Sequence, residues 1–243
     1  GNGDIESYIY FQQDNTYFID TDLQINLETF RYKRFYFLVD MYEQTSMGRK
    51  YHSNMVFDPN RGQWSFGVSG HLELEKIFID GQFHHDCFHD IGRYEQEDFS
   101  IYWNSPRIGL GSLGYLSKYK YHQPEATKSG IVWQHKLDYY ILAGFFAPRG
   151  NVWQKNHNYE VTLMTNLRIQ LARYGRVGFD LESDNLWVRT QSHKLNRRHG
   201  LDFNLTIYGN HGALVTYIAW WPYDSQSIRN RDRKTAFGLH LGF

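Results

Sequence analysis

Tyr159-Glu160-Val161-Thr162-Leu163-Met164-Thr165-Asn166-Leu167-Arg168-Ile169-Gln170-Leu171 is the stretch that decides the fold. Its odd positions are mainly apolar: Tyr159, Val161, Leu163, Thr165, Leu167, Ile169 and Leu171. Its even positions are Glu160, Thr162, Met164, Asn166, Arg168 and Gln170. A period of two belongs to an extended strand whose two faces meet different surroundings. A slip of one residue would exchange every side chain between those faces, so the pattern fixes which side meets an apolar medium. Arg173-Tyr174-Gly175-Arg176 then turns the chain. Beyond it Val177, Phe179 and Leu181 share one face, with Asp180, Glu182 and Asp184 on the other.

The same pattern extends in both directions. Leu201, Phe203, Leu205 and Ile207 alternate with Asp202, Asn204 and Thr206 ahead of a Gly209-Asn210-His211-Gly212 turn. Leu23, Ile25 and Leu27 alternate with Gln24, Asn26 and Glu28, and Phe35, Phe37, Val39 and Met41 form the next apolar face. Val68, Gly70, Leu72 and Leu74 oppose Ser69, His71, Glu73 and Glu75. One-sided strands in such number need an apolar partner along their whole length. A second sheet supplies it in a sandwich, and lipid supplies it in a membrane barrel.

Composition narrows the choice. Lys plus Arg and Asp plus Glu each number 26, so there is no basic field for nucleic acid. One cysteine excludes an internal disulfide framework. Aromatics make up 18% of the chain, as expected where aromatic girdles line two lipid–water interfaces. A mean hydropathy of −0.61, with no run of about 18 apolar residues, excludes a membrane helix but not a barrel. Gly1-Asn2-Gly3 reads as a processed or engineered start, so export is assumed.

Thr235-Ala236-Phe237-Gly238-Leu239-His240-Leu241-Gly242-Phe243 places large apolar residues in alternation with small or polar ones. It resembles the C-terminal strand signal of bacterial outer-membrane β-barrels. That resemblance implies recognition by barrel assembly machinery through Phe237, Leu239, Leu241 and Phe243, and location in the bacterial outer membrane. The expected fold is all-β: one transmembrane antiparallel up-and-down β-barrel over residues 1–243. Twelve strands are favoured and fourteen allowed, with 1–18 an N-terminal segment that is a candidate first strand. Turn lengths set its orientation, because such barrels have short periplasmic turns and longer external loops. The turns at 173–176 and 209–212 fall on the periplasmic side, and 149–157, 191–198 and 224–232 fall outside. Earlier strands are expected near 139–148, 130–138, 115–124, 98–112, 77–90, 51–73, 34–46 and 19–30. Pro106 interrupts the weakest stretch, 104–131.

The inward faces are expected to carry Glu28, Asp40, Glu73, Asp80, Asp86, Glu160, Arg168, Asp180, Glu182 and Asp202 near strand centres, lining a water-filled or hydrogen-bonded lumen. Buried charges must be paired, so a hydrogen-bonded network is preferred to a solute site. Phe83-His84-His85-Asp86-Cys87-Phe88-His89-Asp90 is the densest unusual cluster. Asp80, Gln82, His84 and Asp86 point inward, and His85, Cys87 and His89 continue the lipid face, with side chains at i and i+2 about 7 Å apart. Three readings fit that triplet: a metal site on His85, Cys87 and His89, a nucleophile–base pair of Cys87 and His85, or an interfacial polar patch, which is preferred. His85-Asp86-Cys87 is similar to the catalytic His-x-Ser that outer-membrane lipid hydrolases carry on the outside of the barrel, with Cys replacing Ser. Those enzymes add a polar residue that orients the histidine. Here the outward positions of the next strand read Phe99, Ile101 and Trp103, which leaves the tautomer unfixed. The span from Gly67 onward also resembles a family of uncharacterised bacterial barrel proteins, through a Gly-started strand, the His85, Cys87 and His89 ending, a loop with Trp153 and the 159–190 hairpin. That resemblance implies a fold rather than a function.

Trp133, Trp153, Trp187, Trp220 and Trp221 read as interfacial girdle or loop packing, and Gly109 to Gly114 as strand and turn without a phosphate-loop lysine. No cofactor is expected. The expected function is a non-enzymatic barrel, either a narrow pore or a structural component of an envelope assembly, in contact with outer-membrane lipid and other envelope proteins. The alternatives are an outer-leaflet lipid hydrolase or acyltransferase using His85 and Cys87, and a soluble carbohydrate-binding β-sandwich.

Overall fold

The computed structural model describes residues 2–12, 18–48, 58–90, 100–117, 130–146, 159–226 and 230–243. Twelve strands follow in chain order: β1 Asn2–Tyr10, β2 Ile19–Tyr32, β3 Phe35–Gly48, β4 Asp58–Glu73, β5 Ile77–Asp90, β6 Ser100–Ser112, β7 Val132–Phe145, β8 Tyr159–Tyr174, β9 Val177–Thr190, β10 Leu195–Tyr208, β11 Ala213–Asp224 and β12 Lys234–Gly242. A single helical turn, α1 Leu113–Leu116, follows β6. Each strand pairs antiparallel with its sequence neighbours, and β1 pairs with β12, so the sheet closes into a barrel. A closed single sheet rules out the two-sheet sandwich.

Closure follows from the alternation. Leu163, Leu167, Ile169, Phe179, Phe203, Ile207, Phe237 and Leu239 all lie exposed on the outer wall. Each gains about 1.5–3 kcal/mol by facing hydrocarbon instead of water. Both chain ends and the short turns at 33–34, 74–76, 175–176 and 209–212 share one end of the barrel. Gly175 takes the left-handed conformation that its tight turn requires, with φ 55°. The opposite end carries the 191–194 turn and the strand ends at Tyr10, Ile19, Asp224 and Lys234. The polar stretch 191–198 is therefore half turn and half strand, since β10 begins at Leu195. The 149–157 loop lies outside the described residues.

Two expected boundaries change. Segments 130–138 and 139–148 form one strand, β7, instead of two. The strand expected at 115–124 begins as α1, and 118–129 lie outside the described residues. Ser112 caps α1 by accepting a hydrogen bond from the Tyr115 N–H at 3.2 Å. Leu113, Tyr115 and Leu116, together with Met164 of β8, then pack against Phe78, Tyr140 and Leu142, which point into the barrel. The turn thus folds into the lumen at the short-turn end. A ladder of near-parallel rings runs beneath it: Tyr36–His71, His71–Phe78, Phe78–Tyr140 and Tyr140–Tyr115, with centroids 5.0, 5.8, 5.6 and 5.1 Å apart. The glycine-rich stretch makes room for this filling, since a Cβ on Gly111 would stand 2.4 Å from the Phe78 ring.

A second nest, of Tyr8, Tyr10, Tyr217, Ala219, Trp221 and Ala236, fills the barrel toward the loop end. It gives the small residues of the last strand a physical reason. Tyr217 lies across β12, and a Cβ on Gly238 would stand 2.1 Å from its Cζ. Gly238→Ala is expected to destabilise the barrel by about 1–3 kcal/mol, the usual range for overpacking. In a Tyr217→Ala background the same change should cost little, since the clash is gone. Urea unfolding of the four variants in lipid vesicles measures the difference, and additive losses would refute the contact.

Candidate functional site

Three elements build the outer-wall cluster. In β4, β5 and β6, His85 stands opposite Phe66 and Asn104, and Cys87 opposite Trp64 and Tyr102. The His89 ring lies 5.2 Å from Trp64 and 5.6 Å from Tyr102, and His85 stacks on Tyr102 at 6.2 Å. The expected parity of β6 is reversed. Trp103 is 5% exposed and packs inside with Phe88, Phe146 and Tyr159, while Pro106, Ile108 and Leu110 face outward. Phe99 lies outside the described residues. The reversal supplies the orienting group that the sequence reading had found missing. His85 Nδ1–H donates to Asn104 Oδ1 at 2.9 Å, leaving Nε2 as the free nitrogen. The other half of a catalytic pair is not assembled. Cys87 is half-buried beside the Trp64 backbone, and among the described residues it makes no hydrogen bond to His85. Among the described residues no group of three His, Cys, Asp or Glu is placed to hold a metal, so His85, Cys87 and His89 do not form a ligand set.

The inner wall is polar and cross-linked. Arg168 Nη2 donates to Asp180 Oδ2 at 2.7 Å and to the Tyr208 hydroxyl at 3.0 Å, and Thr206 donates to the same carboxylate oxygen at 3.2 Å. Arg107 bonds Asp86 and Ser105. Asp80 accepts from Tyr140 at 2.8 Å, and Asp40 accepts from Ser69 at 2.7 Å with His84 Nε2 3.8 Å away. Two expected lumen carboxylates lie at strand ends instead of centres, and a third is exposed. Glu28 is exposed and paired with Arg31 at 2.6 Å, Glu73 is the last residue of β4, and Glu160 pairs with Arg189 at 2.9 Å near the loop end.

Around Glu182 and Asp202, both expected in the lumen, sequence reading missed the contributions of Glu6 and Asp22. Glu182 pairs across the sheet with Asp202, and the charges of Glu182, Asp184 and Glu6 all act on Asp202. Glu6 accepts from Tyr217, on which Asp202 and Asp22 also act. Arg198 answers Asp184 at 3.0 Å. These carboxylates are half-exposed at mid-height, where buried Arg168 stands across the sheet from Glu182, while inward side chains nearer both ends, such as Asp20, Trp221 and Phe78, are buried. The period-two reading applied to Asp4, Glu6, Tyr8 and Tyr10 would have found the contribution of β1. Of the tryptophans, Trp133 and Trp220 are exposed on the outer wall, and Trp187 is half-exposed there. Trp221 is a correction, because it is 5% exposed and points inward. Trp153 lies outside the described residues.

No protein-family model matches the sequence, and no curated protein matches it. Among solved structures the chain is similar to LpxR from Salmonella typhimurium, with a TM-score of 0.55 and 6% identity over 100% of this chain and 99% of that one. The fold is that of an outer-membrane β-barrel. A further match is the beta domain of the Bordetella autotransporter BrkA, with a TM-score of 0.42 and 12% identity over 100% and 97% of the two chains. In an outer-membrane barrel the short-turn end faces the periplasm. In this chain α1 lies at the short-turn end and the His85 patch toward the opposite end.

Proposed function

We propose that this chain is a non-enzymatic protein of the bacterial outer membrane that works as a narrow, cation-favouring pore. The observation that carries the reading is the concentration of carboxylates around Asp202 on the inner wall at mid-height, in a chain whose formal net charge is zero. Neutrality overall with acid inside leaves many of the cations at the turns and rims, where Arg31, Lys33, Lys76, Arg176 and Arg197 stand exposed. An excess of carboxylates along the β9, β10, β1 and β2 side of a confined polar passage, only partly answered by Arg168, Arg198 and Arg231, favours counter-ions. α1 and the ring ladder narrow the periplasmic mouth, which suits small solutes. Assembly through the outward residues Phe237, Leu239, Leu241 and Phe243 is part of the same proposal.

Planar-bilayer recording with a potassium chloride gradient tests it. The wild type should show small steps with a reversal potential on the cation side, and Asp202→Asn with Glu182→Gln should move that potential toward zero. A folded barrel that passes no current, or one whose selectivity ignores these changes, sinks the pore reading.

A further inference from the structure

The lipid-facing wall should be apolar at mid-span, and over β8, β9 and β10 it is not. Ser183 stands midway along β9, on the outer face set by Phe179 and Leu181. Asn185, one outward position higher, pairs across the sheet with His199 on one side and Thr165 on the other. These four side chains form one connected network. His199 Nδ1–H donates to Asn185 Oδ1 at 2.8 Å, and the Asn185 amide donates to Ser183 Oγ at 3.0 Å and Thr165 Oγ1 at 3.4 Å. All four are half-exposed on the outer wall. Among the described residues His199 Nε2 has no hydrogen-bond partner. Polar side chains facing hydrocarbon are unfavourable, and in membrane spans they mark sites where something polar is met.

The surroundings state what that partner is. Toward the external end the network is framed by Trp187, 5.7 Å from His199, and Tyr223, 6.2 Å from it. Above these rings the β9–β10 turn is basic. Arg189 and His193 share Glu160, at 2.9 and 3.9 Å, whereas among the described residues neither Lys194 nor Arg197 has a carboxylate partner. Arg197 lies over the outward ring of Tyr223 at 5.6 Å. Below the network the wall is Leu167 and Phe203, and Leu163 stands beside Trp187. From the rim inward the order is cation, aromatic ring, amide and hydroxyl, and then apolar wall. An anionic lipid has that order of chemistry: phosphate, then a headgroup or ester region rich in acceptors and hydroxyls, then acyl chain.

We propose that the outer wall of β8–β10 is a binding site for one anionic lipid of the external leaflet, with Arg197 and Lys194 taking its phosphate and Asn185, Ser183 and His199 its polar linkage region. A second copy of this chain is the competing occupant, but two copies related by symmetry would bring like-charged Arg197 and Lys194 rims together. The site is on the opposite side of the wall from the acidic lumen and stands independently of the pore reading.

Native mass spectrometry of the folded barrel, released from vesicles of equimolar phosphatidylglycerol and phosphatidylcholine, tests the proposal. The wild type should retain one phosphatidylglycerol in preference to phosphatidylcholine. Arg197→Gln should reduce that retention about ten-fold, the scale of one lost charge-assisted hydrogen bond. Asn185→Leu should reduce it too while leaving heat-modifiable migration intact, since it places an apolar side chain against lipid. Lys76→Gln, at the far end of the barrel, should not change it. Equal retention by all four proteins overturns the proposal. So does a wild-type dimer that Asn185→Leu converts to monomer, which would assign the network to a second copy.

Discussion

Arg168→Met is expected to destabilise the barrel by about 3–5 kcal/mol, because it strands a buried carboxylate. Arg168 and Asp180 are 2% and 4% exposed, so Asp180 has no water to replace the guanidinium at 2.7 Å. Tyr208 and Thr206 remain nearby, but each is neutral, and Tyr208 also loses the hydrogen bond it accepts from Arg168. Removing both charges, as Arg168→Met with Asp180→Leu, should restore most of the loss, since buried pairs can be replaced by apolar residues of similar size. The readout is the urea concentration at which the heat-modifiable band disappears in vesicles. A double variant as unstable as the single one would mean that the pair itself, and not the orphaned charge, holds this side of the barrel.

The adjacent residue tests the opposite face. Leu167 points to lipid near the middle of β8, and Leu167→Arg should cost about 2–4 kcal/mol, as charged substitutions do near a bilayer midplane. Asn166→Arg is displaced by one residue but points inward, half-exposed and opposite Asp184. It should cost less, because a carboxylate is across the strand pair and the lumen is polar. The same unfolding assay compares the two. Equal losses would mean that the face assignment is wrong.

Both faces of β8 were legible in the sequence because lipid and lumen differ most where the inward residues are polar. Where that contrast fades, the reading fails. Toward the end of β7 and just beyond it the inward residues Tyr140, Leu142 and Phe146 are apolar, because α1 and neighbouring rings fill the lumen beside them. Alternation vanishes there, and one strand was read as two. In β6 the inward positions include Gly109 and Gly111, and the large Trp103 attracted the outward assignment. Size cannot assign a face in a barrel whose interior also holds Tyr10, Trp221 and Phe88. That single error of parity hid Asn104, the partner of His85. The Ser183–Asn185–His199 network was visible in principle, since positions 183 and 185 continue the outward face of Val177, Phe179 and Leu181. It needed the register between β9 and β10 to show that the polar residues meet.

The seam between β1 and β12 also bears on how the chain reaches this state. There the Gly3 N–H donates to the Phe243 carbonyl at 2.8 Å, and the Phe243 N–H donates back at 2.9 Å. Joining segments so distant along the chain carries a loop-closure entropy of about 5 kcal/mol if nothing between them is ordered. Each hairpin formed earlier shortens the effective loop, so the neighbours zip first and the seam forms last. Until then β1 and β12 are two open edges with unpaired backbone groups, each a template for another unfinished chain. Variants that slow this final step should therefore reduce yield through aggregation while leaving the finished barrel as stable as before.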